Sequence, residues 1–416
     1  MSSSGENGGN GTPRAMEAGD VPEELVSLAR ELVRIPSVTG EEAAVMEYAA
    51  GWLRGVGMEV NFIEGAGEGE ESRPNLIATV GPDSGPVYVM NGHMDTVPVP
   101  EGEVWEYPPF EGEVAGSRLY GRGALDMKGP CSAMMWAAKK FAERGGELKG
   151  RIQLHLVCDE EVGGAHGSGA VAMAIRDGGL PRPKGVISGE LSHLQIRTAE
   201  RGIFRFKVRF HGRSAHTARA RVDGLNAIAV AARGVLALEK HIDRFHPSVG
   251  YPVMSINKIE GGATANQVPA SCTFLVDWRL VPGESPESVI GYARQTLDAL
   301  DDNTEDGRHL PVDYELITEG DDLLDLIPPN MTDSRDPFVQ TVWEAAERVL
   351  GCRPEPFTDW GGSTDARFYR ELEIPVVIFG PTGGGFHGAD EYVDLAALGA
   401  CGEIYWRTLA PLVGLK

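Results

Sequence analysis

The sequence predicts an α/β protein interrupted by a smaller α+β domain of ferredoxin-like order. Three observations lead there. Short apolar runs bounded by turn residues (75–80, 87–90, 151–157, 186–188, 376–379) alternate with helical stretches, notably 128–144 and 165–177. Near Ile196 the texture changes to a β-α-β-β-α-β order, which is the split unit of ferredoxin-like folds. After about Gly320 the α/β texture returns with a helix over 337–350 and the strand at 376–379. The expected organisation is a flexible tail over 1–20, a large domain formed by 21–197 and 320–416, and an inserted domain over 198–319.

Each element has a local reason. Residues 23–32 carry apolar residues at helical spacing, and a second helix spans 41–56 with Thr39 as its expected N-cap. Residues 201–210 alternate as a half-buried strand does. A helix over 224–241, strands at 253–260 and 271–280, a helix over 284–300 and a strand at 312–316 complete the insertion. The first twenty residues are rich in Gly, Ser and Asn and lack the apolar stretch of a secretory signal, so they read as a tail.

Composition narrows the function. The 416 residues are 42% hydrophobic and 24% charged, the balance of a globular chain with a large core. Acidic residues number 61 against 38 basic ones, a formal charge of −23. A field of that sign repels phosphate backbones and argues against a nucleic-acid partner. No apolar run reaches the roughly 18 residues that span a bilayer, so no membrane partner is expected. The five cysteines are far apart and form no C-x-x-C pair, which suggests reduced thiols in a cytoplasm.

Five segments just after expected strands carry acids or histidines, where α/β sheets gather their ligand sites. In Asn91-Gly92-His93-Met94-Asp95, residues two apart share a face, so Asp95 can orient the His93 imidazole; a plain surface turn would read the same way. Asp126 sits in a glycine-rich segment at the head of a helix, where a simple N-capping aspartate is the competing reading. Asp159-Glu160-Glu161 sets three carboxylates side by side, a repulsion that a metal ion or a raised pKa relieves, unless the turn is merely exposed. Glu190 and His387 follow two further strands and say little alone. Together, two histidines and several carboxylates form a nitrogen and oxygen donor set that suits Zn²⁺, with Mn²⁺ or Co²⁺ as substitutes. Two such ions about 3.5–4 Å apart clamp a water and polarise a carbonyl, and a spare carboxylate serves as general base.

At this point the chain resembles the dinuclear zinc amidohydrolases that include acetylornithine deacetylase, succinyl-diaminopimelate desuccinylase, aminoacylase and glutamate carboxypeptidase. The motifs GHMDTVP, GRGALDMKG, DEEVGG and GFHGADEYV stand in the family's order, and the resemblance runs from about Val21 to the C-terminus. It implies a zinc-peptidase-like catalytic domain with a central mixed sheet flanked by helices, and an inserted lid domain that mediates homodimerisation. It implies two metal ions: His93, Asp126 and Glu190 for one, Asp126, Glu161 and His387 for the other, with Asp126 bridging. Glu160 matches the general base, acting on a water between the metals, and Asp95 the carboxylate behind His93. A cis peptide is implied at Asp126–Met127. In the insertion, His216 matches the lid histidine, and Asn266 and Arg279 match substrate-facing residues; a strand-edge salt bridge is the other reading of Arg279. The Gly361–Arg367 loop, with Ser363 and Thr364, resembles a substrate-carboxylate loop.

One stretch departs from the family. Many relatives carry a proline soon after the lid histidine; here Arg219 and Arg221 follow His216 and join Arg213. Such a basic cluster can steer an acidic substrate or merely be solvated. The implied activity is hydrolysis of an amide in a small N-acylated amino acid, with an exopeptidase acting on short peptides as the alternative on the same metal core. A binding protein on a degenerate fold is disfavoured, because all five metal positions and the base are present. A thiol hydrolase built on Cys158 is disfavoured too, since neighbouring acids raise a thiol pKa.

Overall fold

The structure is a computed structural model that describes residues 17–65, 73–240, 242–300, 310–320, 323, 326–358 and 362–416. Residues 1–16 of the expected tail, His241 and Gly361 lie outside the described residues. The chain begins with α1 (Glu23–Arg34), α2 (Ala43–Gly55), β1 (Glu59–Glu64), β2 (Pro74–Val80), β3 (Val87–His93), β4 (Glu113–Ala115) and β5 (Arg118–Tyr120). It continues with α3 (Lys128–Ala142), β6 (Arg151–Val157), α4 (Ser168–Arg176), β7 (Gly185–Ser188), β8 (Ala199–Glu200) and β9 (Gly202–His211). Then follow α5 (Ala220–Asp223), α6 (Ala227–Leu238), β10 (Val253–Gly261), β11 (Ser271–Leu280), α7 (Pro286–Asp298), β12 (Tyr314–Ile317) and β13 (Asn330–Met331). The chain ends with α8 (Pro337–Leu350), α9 (Ala366–Glu371), β14 (Val376–Ile378), β15 (Gly383–Gly384), β16 (Tyr392–Asp394) and α10 (Leu395–Leu412).

Two compact units result: Met1–Thr198 with Thr332–Phe357 and Thr364–Lys416, and Ala199–Met331 with Thr358–Ser363. The first unit is built on a mixed six-stranded sheet in the order β1-β2-β6-β3-β7-β14. Strands β6, β3, β7 and β14 run parallel, while β2 is antiparallel to β6. Val89, Val157, Val186, Val376 and Ile378 pack with Val171 and Ile175 of α4 and Ala366 and Tyr369 of α9. Helices α3 and α10 pack on each other, and α3 also meets β3 and β6. Gly92 shows how tight that contact is: a Cβ there would come within 2.7 Å of Cys131 Sγ. Parallel strands with helical crossovers put their carboxyl ends at one edge of the sheet. There the chain leaves β3, β6, β7 and β14.

The second unit has a four-stranded antiparallel sheet in the order β10-β11-β9-β12. With α6 and α7 between its strands in sequence, it is a split β-α-β-β-α-β unit. Strand β9 alternates buried and half-buried residues over its whole length, and its Phe204, Phe206, Val208 and Phe210 join Trp278 and Phe274 of β11 in the core.

Two local expectations need correction. The helix expected at 41–56 starts at Ala43, and Thr39 does not cap it: its hydroxyl donates instead to Asp95 Oδ2 at 2.8 Å. The helix expected from Gly224 starts at Ala227, because the Asn226 side chain accepts from Ile228 N and Ala229 N and fixes the first turn there.

Candidate metal centre

The register of the parallel strands brings the site together. His93 ends β3 and pairs with Val157 of β6, three residues before Glu160. Asn91 pairs with Ser188 of β7, so Glu190, two residues on, comes level with His93. Asp126 lies just before α3. The competing reading of an N-capping aspartate fails, since α3 has no side-chain cap and the Asp126 carboxylate points elsewhere. The Asp126–Met127 peptide is cis.

Asp126 divides its two oxygens. Oδ1 lies 3.0 Å from His93 Nε2, and Glu190 Oε1 is 3.6 Å from that same nitrogen. Oδ2 lies 3.2 Å from His387 Nε2, and Glu161 Oε2 is 3.1 Å from that nitrogen. Donor atoms of His93, Asp126 and Glu161 lie within 4.8 Å of one another, as do those of His93, Glu160 and Glu190. All six of these side chains expected at the site converge in the first unit.

Behind them stands Asp95, fully buried. Its backbone carbonyl accepts from His93 Nδ1 at 3.0 Å, and its carboxylate lies 3.4 Å from that nitrogen. The same carboxylate accepts from Glu160 N and Glu161 N, both at 3.2 Å, and from Thr39. It therefore holds the acidic loop as well as the imidazole. Sequence reasoning missed that second task, and it missed Glu391, whose buried carboxylate accepts from Leu125 N and Asp126 N at 2.9 and 3.0 Å. The only signal for Glu391 was its place in the acidic segment after His387.

Crowded acids and histidines set one another's protonation. Burial alone would lower His93, but the Asp126 and Asp95 carboxylates hold it well above its ordinary value. His387 is held at about 10 by Asp126 and Glu161. Burial, opposed by hydrogen bonds from both histidines, leaves Asp126 below the usual carboxylate range. Burial, followed by the charge of Glu190, pushes Glu160 well up; burial and the charge of Asp126 push Glu190 up to about 8. Protons on the histidines thus stand where cations would neutralise the cluster. The donor set fits divalent ions: imidazole nitrogens and carboxylate oxygens converge, and Glu161 Oε1 is buried with no hydrogen-bond partner. Burial and nearby acids raise the Cys158 thiol, which removes it as a nucleophile.

The remaining expected residues divide between the units. His216 and Asn266 are neighbours in the second unit: His216 bridges to Gln267, and Thr217 N donates to Asn266 O at 3.1 Å. His216 Nδ1 accepts from Ala218 N at 3.2 Å, leaving Nε2 on an exposed ring. Arg279 pairs with Asp277 Oδ1 at 2.7 Å, the salt bridge given as its other reading. Arg219 pairs with Asp223, and Arg213 Nε donates to the Asp223 carbonyl at 2.7 Å. Ser363 is half-buried in the second unit, while Thr364 is buried in the first, where its hydroxyl accepts from Ala366 N.

Comparison with known proteins adds independent findings. Residues 89–410 match Peptidase family M20/M25/M40. A succinyl-diaminopimelate desuccinylase of Rhodospirillum centenum is 30% identical over 390 residues, covering 92% of this chain and 96% of that protein. A tripeptidase from Staphylococcus aureus superposes with a TM-score of 0.71 at 19% identity, covering 96% and 100% of the two chains. A dinuclear metal-binding peptidase of the M20 family from Bacillus subtilis superposes at 0.67, also at 19% identity, covering 94% and 98%.

The raised carboxyl of Glu190 has a stability consequence. Its folded-state value of about 8 exceeds the ordinary 4.5, so it favours the fold when protonated. That contribution is present below about pH 4.5 and is lost as pH rises toward 8. In metal-free protein, Glu190 should therefore contribute a fall in Tm as pH rises from about 4.5 toward about 8. Glu190→Gln should flatten that decline in a calorimetric pH series, and an unchanged slope would remove Glu190 as its source.

Proposed function

We propose that this chain, which belongs to Peptidase family M20/M25/M40, is a metal-dependent amidohydrolase that removes the acyl group from a small N-acyl amino acid. The observation that carries this reading is the divided carboxylate of Asp126, with one oxygen toward His93 and Glu190 and the other toward His387 and Glu161. In this reading His93, Asp126 and Glu190 hold one divalent ion, and Asp126, Glu161 and His387 hold a second. The mixture of imidazole and carboxylate favours Zn²⁺, with Co²⁺ or Mn²⁺ as substitutes. When bound, the ions supply Lewis acidity for the scissile carbonyl and lower the pKa of the attacking water.

The chain's own residues do the rest. Asp95 and the Asp95 carbonyl fix the His93 ring with its Nδ1 proton facing them, which turns Nε2 toward Asp126. A Glu160 carboxylate oxygen takes a proton from the attacking water and returns it to the leaving amine. His216 Nε2 donates a hydrogen bond to the oxyanion that forms at the carbonyl. Asn266, Arg279, Ser363 and Thr364 contact the substrate and its free carboxylate.

The similarity to succinyl-diaminopimelate desuccinylases supports an N-acyl amino acid as substrate. The exposed edge of the second unit supports a homodimer through the lid. Strand β10 is an edge strand with mostly exposed residues, and Val253 and Ile259 on it, with Ile228 and Leu236 on α6, are exposed apolar side chains. All five cysteines are unpaired, which fits a cytoplasmic location. No helix among the described residues is long and apolar enough to cross a membrane.

Three experiments test this reading. Asp126→Ala should lose both ions by metal analysis, because its carboxylate is shared; undiminished two-ion content would sink the assignment. Glu160→Gln should keep its metal while turnover on N-succinyl and N-acetyl amino acids falls toward the upper end of the typical ~10²–10⁴-fold for base catalysis. Variant activity within a few-fold of wild type would overturn the base, and wild-type hydrolysis confined to short peptides, assayed beside these N-acyl amino acids, would overturn the substrate class. His216→Ala and Glu160→Gln, each nearly inactive alone, should recover part of wild-type activity when co-refolded, since one site of the heterodimer combines an intact Glu160 with the partner's intact His216. No recovery in demonstrated heterodimers would mean that His216 does not act across the dimer.

A further inference from the structure

Strands β5 and β16 pair antiparallel, with Tyr120 opposite Tyr392. The segment leaving β5 carries Asp126, and the segment entering β16 carries His387, so both lie at one end of this pair. Glu391 sits where the segments meet. Its backbone carbonyl accepts from Gly121 N at 2.9 Å, which extends the pairing by one step. Its side chain, 1% exposed, runs along the loop toward Asp126.

That carboxylate is saturated. Oε2 accepts from Arg122 Nη1 at 2.7 Å and Gly123 N at 3.1 Å. Oε1 accepts from Leu125 N at 2.9 Å and Asp126 N at 3.0 Å. Arg122 Nη1 also donates to the Gly388 carbonyl at 3.3 Å, next to His387. The loop is anchored on its outer side as well: Asp390 Oδ1 accepts from Glu106 N and Tyr107 N at 2.8 and 3.0 Å. One side chain therefore ties the backbone of Asp126 to the segment bearing His387. Its charge is matched by Arg122, itself 1% exposed and 5.3 Å from the Trp105 ring. The Glu391 carboxylate is spent on these four donors, whereas the Asp126 carboxylate faces His93 and His387.

We propose that Glu391 is a positioning residue that holds the Asp126 carboxylate in line with His387 and thereby sets the affinity of the Asp126–Glu161–His387 site for its ion. The proposal rests on the two-ion reading given above. The His387 site is the more sensitive of the two. His93 is fixed independently through Asp95 and strand β3, whereas the half-exposed His387 rides on the segment that Glu391 and Arg122 tie down. Replacing the carboxylate by an amide turns one acceptor into a donor facing two donors, so two of the four hydrogen bonds are lost.

The test is a Co²⁺ titration of metal-depleted wild type and Glu391→Gln, followed by calorimetry and by the visible spectrum of the bound ion. Loss of a carboxylate that orients a ligand typically costs about 10–100-fold in affinity. The second ion should weaken by that much with an altered Co²⁺ band, the first by no more than about threefold, and the metal-free Tm should stay within a few degrees. A second-ion Kd close to wild type, or equal losses at both sites that track a fallen metal-free Tm, would overturn the proposal. Wild type that binds fewer than two ions would instead overturn the two-ion reading. Because Glu391→Gln leaves Arg122 buried and unpaired, the double variant Arg122→Met/Glu391→Gln removes that charge and is judged by the same criteria if the single variant does not fold.

Discussion

Four carboxylates and two imidazoles share the space at the carboxyl edge of the sheet, and their mutual charge governs what surrounds them. Asp126 is the pivot, because each of its oxygens faces a different histidine. Without metal, the cluster is held by protons: His93 and His387 are pushed upward by the acids, Glu160 by burial and Glu190, and Glu190 by burial and Asp126. Divalent ions offer the same neutralisation with more charge, so binding must displace protons and strengthen as pH rises. A cluster of this kind is poor material for stability and good material for chemistry.

Holding such groups together requires a rigid second layer, and this protein builds it from carboxylates that accept backbone N–H groups. Asp95 binds the Glu160 and Glu161 amides and the Thr39 hydroxyl while facing His93. Glu391 binds the Leu125 and Asp126 amides while anchored by Arg122. Each acid is buried with its acceptor positions used, so neither leaves an orphaned charge of the kind that makes buried ions costly. The close packing of α3 against β3 and against the turn before it depends on small residues. A Cβ at Gly129 would come 2.1 Å from the Ala124 carbonyl, and Gly92 leaves room for Cys131.

The second unit follows a different logic. Its antiparallel sheet is packed on one side by α6 and α7, with aromatic residues of β9 and β11 filling the core. Antiparallel sheets need only one covered face, which frees the other and the β10 edge for contacts. His216 and Asn266 lie side by side in its loops, where function is commonly carried.

The sequence by itself determined the alternation of strands and helices, the β-α-β-β-α-β order of the insertion, and the segments that supply His93, Asp126, Glu160, Glu161, Glu190 and His387. These were legible because strand ends, periodicity and residue chemistry are local properties. Tertiary structure alone decided which oxygen of Asp126 faces which histidine, since that depends on the register of β3, β6 and β7 and on loops distant in sequence. It also decided that Thr39 serves Asp95 rather than a helix, and that Glu391 reaches back across 265 positions to Asp126. A hydroxyl or carboxylate can meet many partners of equal chemistry, and only the packed chain selects which one is within hydrogen-bond reach.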